Sequence, residues 1–228
     1  CPSVNEEFGA RALNGDEVEQ LIEDFVAAAE RAERAGFDGV ELHGAHGYIL
    51  CQFLSSETNL REDQFGGSLE NRARPLLAVI EGIRARCRAD FQLGLRLSPE
   101  RFGIDLAEMR ELSAELMRAG DLDYLDMSLW DAFKEPVDKA YKGKRLIDHF
   151  TDIDRHGVRL GVAGKVKTAQ AVEDSLQAGA DFVLLGRAAI LHHDFPRRVE
   201  SDPAFEPIGL PVTRAHLADE GLSEVFID

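Results

Sequence analysis

Short apolar segments alternate with longer amphipathic ones along the sequence, and this alternation limits the fold more than any other feature. The apolar segments predict strands, whereas apolar residues at every third or fourth position predict helices. Strands are expected at 37–42, 91–97, 124–127, 159–163 and 181–185. Helices are expected at 16–35, 68–88 with Ser68 as the N-cap, 106–119, 145–155, 169–178, 186–191 and 214–220. A long polar loop is expected at about 44–67, and apart from 214–220 the tail beyond Pro196 is expected to be mostly connection. Strands that alternate with helices are parallel, so the chain is predicted to be an α/β protein.

A (β/α)8 TIM barrel is favoured over a doubly wound sheet, although the alternation alone fits both. Glycines and polar residues follow several strands, and the active residues of barrels collect at these carboxyl ends. A complete barrel takes about 250 residues, and the long loops here leave room for about five of its eight strand–helix units. We therefore expect about three N-terminal units to be missing. Residues 1–228 should form one partial barrel domain, with 201–228 as a C-terminal extension.

Charge and cysteine content restrict the partners of the chain. The net charge of -16 should repel nucleic acid and anionic lipid, so a small-molecule substrate is expected instead. No apolar run approaches the ~20 residues of a membrane span, and the first residues do not resemble a signal peptide. The three cysteines form no C-x-x-C pair, which argues against a disulfide framework or thiolate metal site. A reducing cytoplasm is the expected compartment, and a homo-oligomer is compatible with the sequence.

Two histidines and a tyrosine follow the first predicted strand, in the run His43-Gly44-Ala45-His46-Gly47-Tyr48. Gly44 and Gly47 allow sharp turns that could aim the rings inward. Neutral imidazoles can donate N–H to a developing oxyanion, and a phenol can deliver a proton. Spacing alone leaves two interpretations equally open, namely this catalytic set or loop histidines beside a packed tyrosine. The histidines lack the helical spacing of a zinc-binding H-E-x-x-H motif, so no metal site is expected.

Arg96 lies within the apolar strand 91–97 and must find an anion or another acceptor, because burying it unpaired is costly. A salt bridge to Glu41 or Asp126 on a neighbouring strand is slightly favoured over an anionic ligand. Farther along, 129–143 is irregular. Trp130, Phe133 and Lys134 in this segment are compatible either with lining the substrate or nicotinamide side or with an ordinary surface loop.

Two consecutive strands are each followed by glycine and a cation, in Gly164-Lys165 and Gly186-Arg187. The loops after the last two strands of a barrel commonly bind phosphate, because glycine exposes backbone N–H groups to the ligand. An arginine can add a bidentate contact. These four residues therefore predict a phosphate site. The polar stretch 59–72 is predicted to be an ordered structural loop beneath the active site.

In these motifs the sequence closely resembles the Old Yellow Enzyme family, the NADH:flavin oxidoreductase/NADH oxidase barrels. The resemblance rests on four runs that occur in order over most of the chain. They are AGFDGVELHGAHGYILCQFL (35–54), N-x-R-x-D-x-F-G-G-S-x-E-N-R (59–72), GLRLSP (94–99) and ADFVLLGRA (180–188). The combination is highly specific, although no single run is.

The resemblance implies an FMN enzyme that uses NAD(P)H to reduce activated alkenes. It implies that His43 and His46 hydrogen-bond a carbonyl or nitro oxygen of the substrate and that Tyr48 donates the proton. It also implies that Arg96 faces the N1/C2 carbonyl region of the flavin. The implied phosphate ligands are Gly164, Lys165, Gly186 and Arg187. Two departures from the family pattern matter. The first-strand flavin contacts have no counterpart here, and many relatives carry an uncharged residue in place of Lys165.

Three alternatives remain open from the sequence. The first is a flavin-dependent dehydrogenase or demethylase of the same family. The second is a phosphate-sugar isomerase or aldolase barrel, which would use the same phosphate turns but lacks an obvious Schiff-base lysine or catalytic carboxylate at a strand end. The third is an inactive barrel fragment, whose open sheet would leave strand edges exposed.

Overall fold

The computed structural model describes residues 1–227. Five strands form one sheet in chain order, and every neighbouring pair is parallel. They are β1 (Gly39–Gly44), β2 (Gln92–Leu97), β3 (Tyr124–Ser128), β4 (Arg159–Ala163) and β5 (Phe182–Leu184). A doubly wound sheet reverses its strand order at a switch point, whereas a barrel adds each strand beside the previous one. The unbroken order therefore confirms the predicted barrel architecture, of which these five strands form a part.

Helices connect the strands and continue after the last one. They are α1 (Gly15–Arg34), α2 (Ile49–Leu54), α3 (Leu69–Arg86), α4 (Leu106–Ala119), α5 (Asp148–Thr151), α6 (Ala169–Gln177), α7 (Arg187–Leu191), α8 (Phe195–Ser201), α9 (Arg214–Asp219) and α10 (Glu224–Ile227). Among residues 1–227, no helix combines the length and hydropathy needed to cross a bilayer.

Local signals at the helix ends explain where the long helices begin and end. The side chain of Ser68 accepts a hydrogen bond from the backbone N–H of Asn71, which confirms the predicted start of α3. The Asp105 carboxylate similarly caps α4 by accepting from the N–H of Glu108. Gly120 ends α4 in the left-handed conformation with φ of 74°, where a residue without Cβ is favoured.

Three helices were not predicted. The expected loop 44–67 contains α2, and the expected connection after Pro196 contains most of α8 and all of α10. The helix expected at 145–155 is shorter, since only Asp148–Thr151 is α-helical. α2 matters for function because it begins directly after the histidine loop and fixes the position at which that loop ends.

The two faces of the sheet differ in chemistry. Outward residues such as Leu42, Leu93, Leu125 and Leu160 are buried in one apolar cluster with the inner sides of α3 and α4. The residues between them face the interior of the barrel, because side chains alternate along a strand. This interior face is polar at its centre, and it leads upward to the loops at the carboxyl ends of the strands.

Candidate active site

The histidine loop turns sharply at the carboxyl end of β1. His46 and Gly47 both adopt left-handed backbone conformations, with φ of 59° and 75°. Tyr48 then precedes the first turn of α2 as its N-cap residue. A non-glycine residue with positive φ is uncommon and often marks a functional turn. The conformation at His46 brings its ring back toward His43 rather than away from it.

The three rings of this loop are clustered. The ring centroid of His43 lies 5.0 Å from that of His46 and 5.1 Å from that of Tyr48. His43 and His46 are half-buried, whereas the Tyr48 residue is 63% exposed. The structure therefore brings together all three residues that the sequence singled out in this run.

Both imidazoles favour the neutral form. Burial lowers the pKa of His43, and the positive charge of Arg96 lowers it further. Burial likewise lowers the pKa of His46, with His43 as the next contribution. Neutral imidazoles at pH 7 each present one N–H donor, which is the form needed to stabilise an oxyanion.

Two residues that the sequence analysis gave no role hold this loop in place. The backbone N–H of His46 donates to Oγ of Ser98 at 3.0 Å, which ties the loop to the end of β2. Nε2 of Gln52 in α2 donates to the carbonyl oxygen of Gly47 at 2.7 Å. Both lie within the runs that carry the family resemblance, but spacing gives no signal for such supporting contacts.

Arg96 is paired with both carboxylates that the sequence offered as partners. Its Nε lies 2.9 Å from Oε1 of Glu41 and 2.5 Å from Oδ2 of Asp126. Arg96 lies directly beside His43 in the β1–β2 register and beside Asp126 in the β2–β3 register. The salt-bridge interpretation is thus confirmed. Because the side chain of Arg96 is still 27% exposed, it can also meet a ligand in the cleft above it.

A cleft of about 810 Å³ runs across the carboxyl ends of β2 to β5. Its volume falls within the range of ~300–1,000 Å³ typical of small-molecule sites. His46, Arg96 and Trp130 line it beside β1, β2 and β3. Beside β4 and β5 it is lined by glycines and cations, namely Gly164, Lys165, Lys167, Gly186 and Arg187. The four residues of the predicted phosphate site therefore lie together, in the same cleft as Arg96 and His46.

Lys165 differs from the expectation in one respect. Its Nζ lies 2.9 Å from Oδ2 of Asp131, so the ammonium already has an acidic partner. Burial raises the pKa of Asp131, but the hydrogen bond and charge of Lys165 outweigh it and hold that pKa below its usual value. Arg187 has no carboxylate within ion-pair distance among residues 1–227, so its guanidinium is available to an anion.

The stretch 59–72 supports the site from below through buried polar side chains. Nδ2 of Asn59 donates to the carbonyl oxygens of Phe53 and Phe65 at 2.7 and 2.8 Å. Arg72, only 3% exposed, donates to the carbonyl of Leu54 at the end of α2. These contacts fix the position of α2 and of the histidine loop before it.

Trp130 is the member of the irregular segment that reaches the cleft. It is 56% exposed, and the guanidinium carbon of Arg101 lies 4.4 Å from its ring centroid. Arg101, Phe102 and Trp130 all have positive φ, as His46 and Lys165 do. Uncommon backbone conformations thus concentrate around this one cleft, which is typical of functional sites.

A barrel-type parallel sheet, a neutral imidazole pair and a cation-lined cleft together define a barrel with a candidate small-molecule site at the carboxyl ends of its strands, where the active sites of barrel enzymes lie. The sequence profile of the NADH:flavin oxidoreductase / NADH oxidase family matches residues 2–205. The chain belongs to this family.

Relatives of known sequence include putative 12-oxophytodienoate reductase 3 of Oryza sativa subsp. japonica. It is 36% identical over 198 residues, which cover 83% of this chain and 50% of the relative. The NADH:fumarate oxidoreductase of Klebsiella pneumoniae (strain 342) is 37% identical over 207 residues, covering 86% of this chain and 22% of that protein. The chain spans at most about half the length of these two relatives.

Solved structures agree. Morphinone reductase in complex with tetrahydroNAD is 32% identical and superposes with a TM-score of 0.73, covering 94% of this chain and 59% of that chain. The old yellow enzyme homologue of Zymomonas mobilis is 29% identical with a TM-score of 0.75, covering 94% and 61%. The five strands are therefore part of an Old Yellow Enzyme type of barrel.

Proposed function

We propose that the chain carries the substrate and phosphate halves of an FMN site, in an oxidoreductase that uses NADH or NADPH to reduce activated alkenes such as enones. One observation carries the proposal. His46, whose ring clusters with those of His43 and Tyr48, lines the same cleft as Arg96 and the Gly164 and Gly186 turns. Relatives named as reductases of morphinone and 12-oxophytodienoate support the reductive direction.

The residues present fit FMN. FMN has a planar ring system and a phosphate at the end of a chain. Its site therefore needs a cation beside the ring and glycines with cations at the phosphate. The cleft is lined by Arg96 and by the glycines and cations that follow β4 and β5, and open space lies where a Cβ on Gly186 would project. Gly164 and Lys165 turn in left-handed conformations. Lys165 and Arg187 supply the charge that a phosphate requires in a chain whose net charge is -16.

FMN, held by Arg96 at its ring and by the Gly164 and Gly186 turns at its phosphate, would supply the hydride chemistry between NAD(P)H and the β-carbon of the alkene. The chain's own residues would do the rest. His43 and His46 would donate N–H to the carbonyl or nitro oxygen and make the β-carbon more electrophilic. The hydroxyl of Tyr48 would deliver a proton to the α-carbon and, being exposed, would recover a proton from solvent. Arg96 would stabilise negative charge near N1 and C2.

The first test is the visible spectrum of the chain purified with added FMN, followed by its bleaching with NADH and with NADPH. Retained yellow colour that either reductant bleaches supports the proposal. A chain that never retains FMN contradicts it.

The second test separates the two half-reactions in Tyr48→Phe. Removing a general acid typically costs 10²–10⁴-fold, so alkene reduction should slow by about that factor while flavin reduction by NAD(P)H stays nearly unchanged. Tyr141→Phe is the matched control, because Tyr141 packs edge-on against His149 away from the cleft. Equal loss in both half-reactions of Tyr48→Phe would contradict the role of Tyr48 as proton donor.

A further inference from the structure

Two carboxylates share one arginine on the interior face of the barrel. Glu41 and Asp126 both contact Nε of Arg96, at 2.9 and 2.5 Å. The three residues lie on consecutive strands β1, β2 and β3. Arg96 and Asp126 are direct neighbours in the strand register, whereas Glu41 lies one inward-facing position lower. The positive charge of Arg96 is therefore shared by two carboxylates before any ligand enters the cleft.

Asp126 differs sharply from Glu41 in its surroundings. The Asp126 side chain is fully buried, whereas that of Glu41 is 23% exposed. Neither carboxylate oxygen of Asp126 has a well-directed hydrogen bond within residues 1–227, so its contact with Arg96 is a charge interaction. An ionised carboxylate that is buried with so little support is held by that one cation alone.

The charged and titratable groups that face Asp126 come from three strands. Burial raises the pKa of Asp126 to about 7, Arg96 acts in the opposite direction, and Glu41 raises it further. Tyr124 faces the same interior, and burial together with Glu41 raises its pKa, so it stays neutral. His43, beside Arg96, is kept neutral by burial and by that arginine.

The described residues of β4 and β5 that lie nearest to Asp126 carry no charge. Gly161 is its register neighbour on β4, and the Phe182 ring of β5 covers that glycine. Arg159 lies one inward-facing position lower, where it lines the opposite opening of the barrel with Glu41. Arg96 is therefore the cation that governs the charge of Asp126.

We propose that Asp126 is a positioning residue for Arg96 that takes up one proton from solvent when negative charge arrives opposite Arg96 in the cleft. This inference rests on the proposed FMN function, in which two electrons bring that charge. Once Arg96 also pairs with an anion in the cleft, the buried carboxylate of Asp126 loses part of its stabilisation, and its neutral form is favoured. The proton binds to a carboxylate oxygen of Asp126 and returns to solvent when the electrons leave. No other bond is made or broken at this residue.

The reduction potential of the FMN-loaded chain tests the proposal. One additional proton taken up with two electrons steepens the dependence of the midpoint potential by about 30 mV per pH unit, the equivalent of a tenfold concentration change for a two-electron couple. We expect the wild-type slope to exceed that of Asp126→Asn by up to this amount at and above neutral pH. Glu41→Gln is the control, since it removes the other carboxylate. It should move the steep region to lower pH without abolishing it.

A second measurement needs no variant and no turnover. The carboxyl ¹³C signal of Asp126 should titrate near pH 7 in the FMN-free chain and at higher pH in the reduced FMN-loaded chain than in the oxidised one. If Asp126→Asn does not fold, this titration of the wild-type chain tests the proposed proton uptake by itself.

The outcomes separate this inference from the proposed function. Retained FMN with equal slopes in wild type and Asp126→Asn overturns the inference alone. Titration of Asp126 in the ordinary acidic range, unaffected by reduction, does so as well. Failure to bind FMN overturns the proposed function and this inference with it, because no charge then arrives opposite Arg96.

Discussion

Nζ of Lys165 lies 2.9 Å from Oδ2 of Asp131, so one of the two cations at the glycine turns is already neutralised by the loop after β3. Two hydrogen bonds hold Asp131 in the position from which it contacts Lys165. Its backbone N–H donates to the carbonyl oxygen of Leu129, and its carboxylate accepts from the N–H of Phe133. A phosphate at the turns would therefore compete with Asp131 for the ammonium group.

Removing this competitor should strengthen phosphate binding. Because the Lys165 side chain is 52% exposed, the pair is worth at most ~1 kcal/mol. We expect Asp131→Asn to bind FMN up to about fivefold more tightly at low salt, with a smaller gain at high salt. Flavin fluorescence titration at two salt concentrations measures this. Asp121→Asn makes the same change in net charge, and Asp121 lies before β3, away from the cleft. Unchanged FMN affinity in both Asp131→Asn and Lys165→Met would exclude Lys165 from the phosphate site.

The imidazole pair should titrate below the usual range of histidine. Burial lowers the pKa of both His43 and His46, and Arg96 is the next contribution for His43. We expect their ring NMR signals to titrate below pH 6.5. Arg96→Gln should raise the pKa of His43 more than that of His46, for which Arg96 is only the third contribution. A midpoint of either wild-type imidazole at or above 6.5 would contradict this.

The lowered pKa values of His43 and His46 also determine whether the free energy of unfolding rises or falls with pH. Between pH 6.5 and the lower folded-state pKa values, the unfolded chain binds protons that the folded chain does not. The contribution of this pair to the free energy of unfolding is therefore present above pH 6.5 and falls as the pH drops through the folded-state values. Urea unfolding of wild type and of a His43→Gln/His46→Gln variant should diverge in this direction between pH 7.5 and 5.

The fold was predictable because its signals are local and repeat along the chain. The segments 159–163 and 106–119 are observed as β4 and α4 with unchanged bounds. α2 was missed because Ile49–Leu54 is too short and too uniformly apolar to show a helical period. α8 is not evident from the sequence because Pro196 suggests the start of a connection, whereas proline is also favoured in the first turn of a helix.

The site was predictable only where its members are close in sequence or lie on paired strands. His43, His46 and Tyr48 share one loop, and parallel pairing brings Arg96 beside His43. The pairing of Lys165 with Asp131 joins loops after different strands, and no local pattern indicates it. The sequence offered Glu41 and Asp126 as alternative partners of Arg96, whereas the packed interior makes both of them partners.

Gly94 should tolerate no side chain, because the Tyr124 ring covers it on the interior face of the sheet. A Cβ at this position would overlap the ring. Such overpacking typically costs 1–3 kcal/mol, so Gly94→Ala should lower the free energy of unfolding by about that amount. Gly15→Ala is the control, because nothing lies within 4 Å of the added atom there. Chemical denaturation measures both variants. In a Tyr124→Ala background the cost of Gly94→Ala should largely disappear, and a cost that persists would show that the clash is not with Tyr124.

Glu220 joins the end of α9 to the segment between α7 and α8. Its Oε2 accepts from the backbone N–H of His193 at 2.8 Å and lies 2.7 Å from Nδ1 of the same residue. The backbone N–H of Ile208 donates to Nε2 of His192, so Nδ1 of His192 carries the proton and faces Oε1 of Glu220 at 3.5 Å. A metal ion at His192 would need that Nδ1 as a free lone pair. The arrangement is therefore a hydrogen-bond network that fastens the C-terminal segment.

Loss of the Glu220 carboxylate should destabilise the C-terminal segment and leave the strands of the barrel intact. In Glu220→Gln the amide retains one oxygen but loses the charge, and its NH₂ group faces the N–H donors of His192 and His193. We expect faster hydrogen exchange at 192–220, with unchanged protection in β1 to β4, because these strands lie in a separate buried cluster. Asp219→Asn, an exposed neutralisation one residue away, should leave exchange unchanged. If both variants exchange alike, Glu220 fastens nothing, and the segment is held by apolar contacts such as those of Leu191, Leu217 and Leu222, which line one groove.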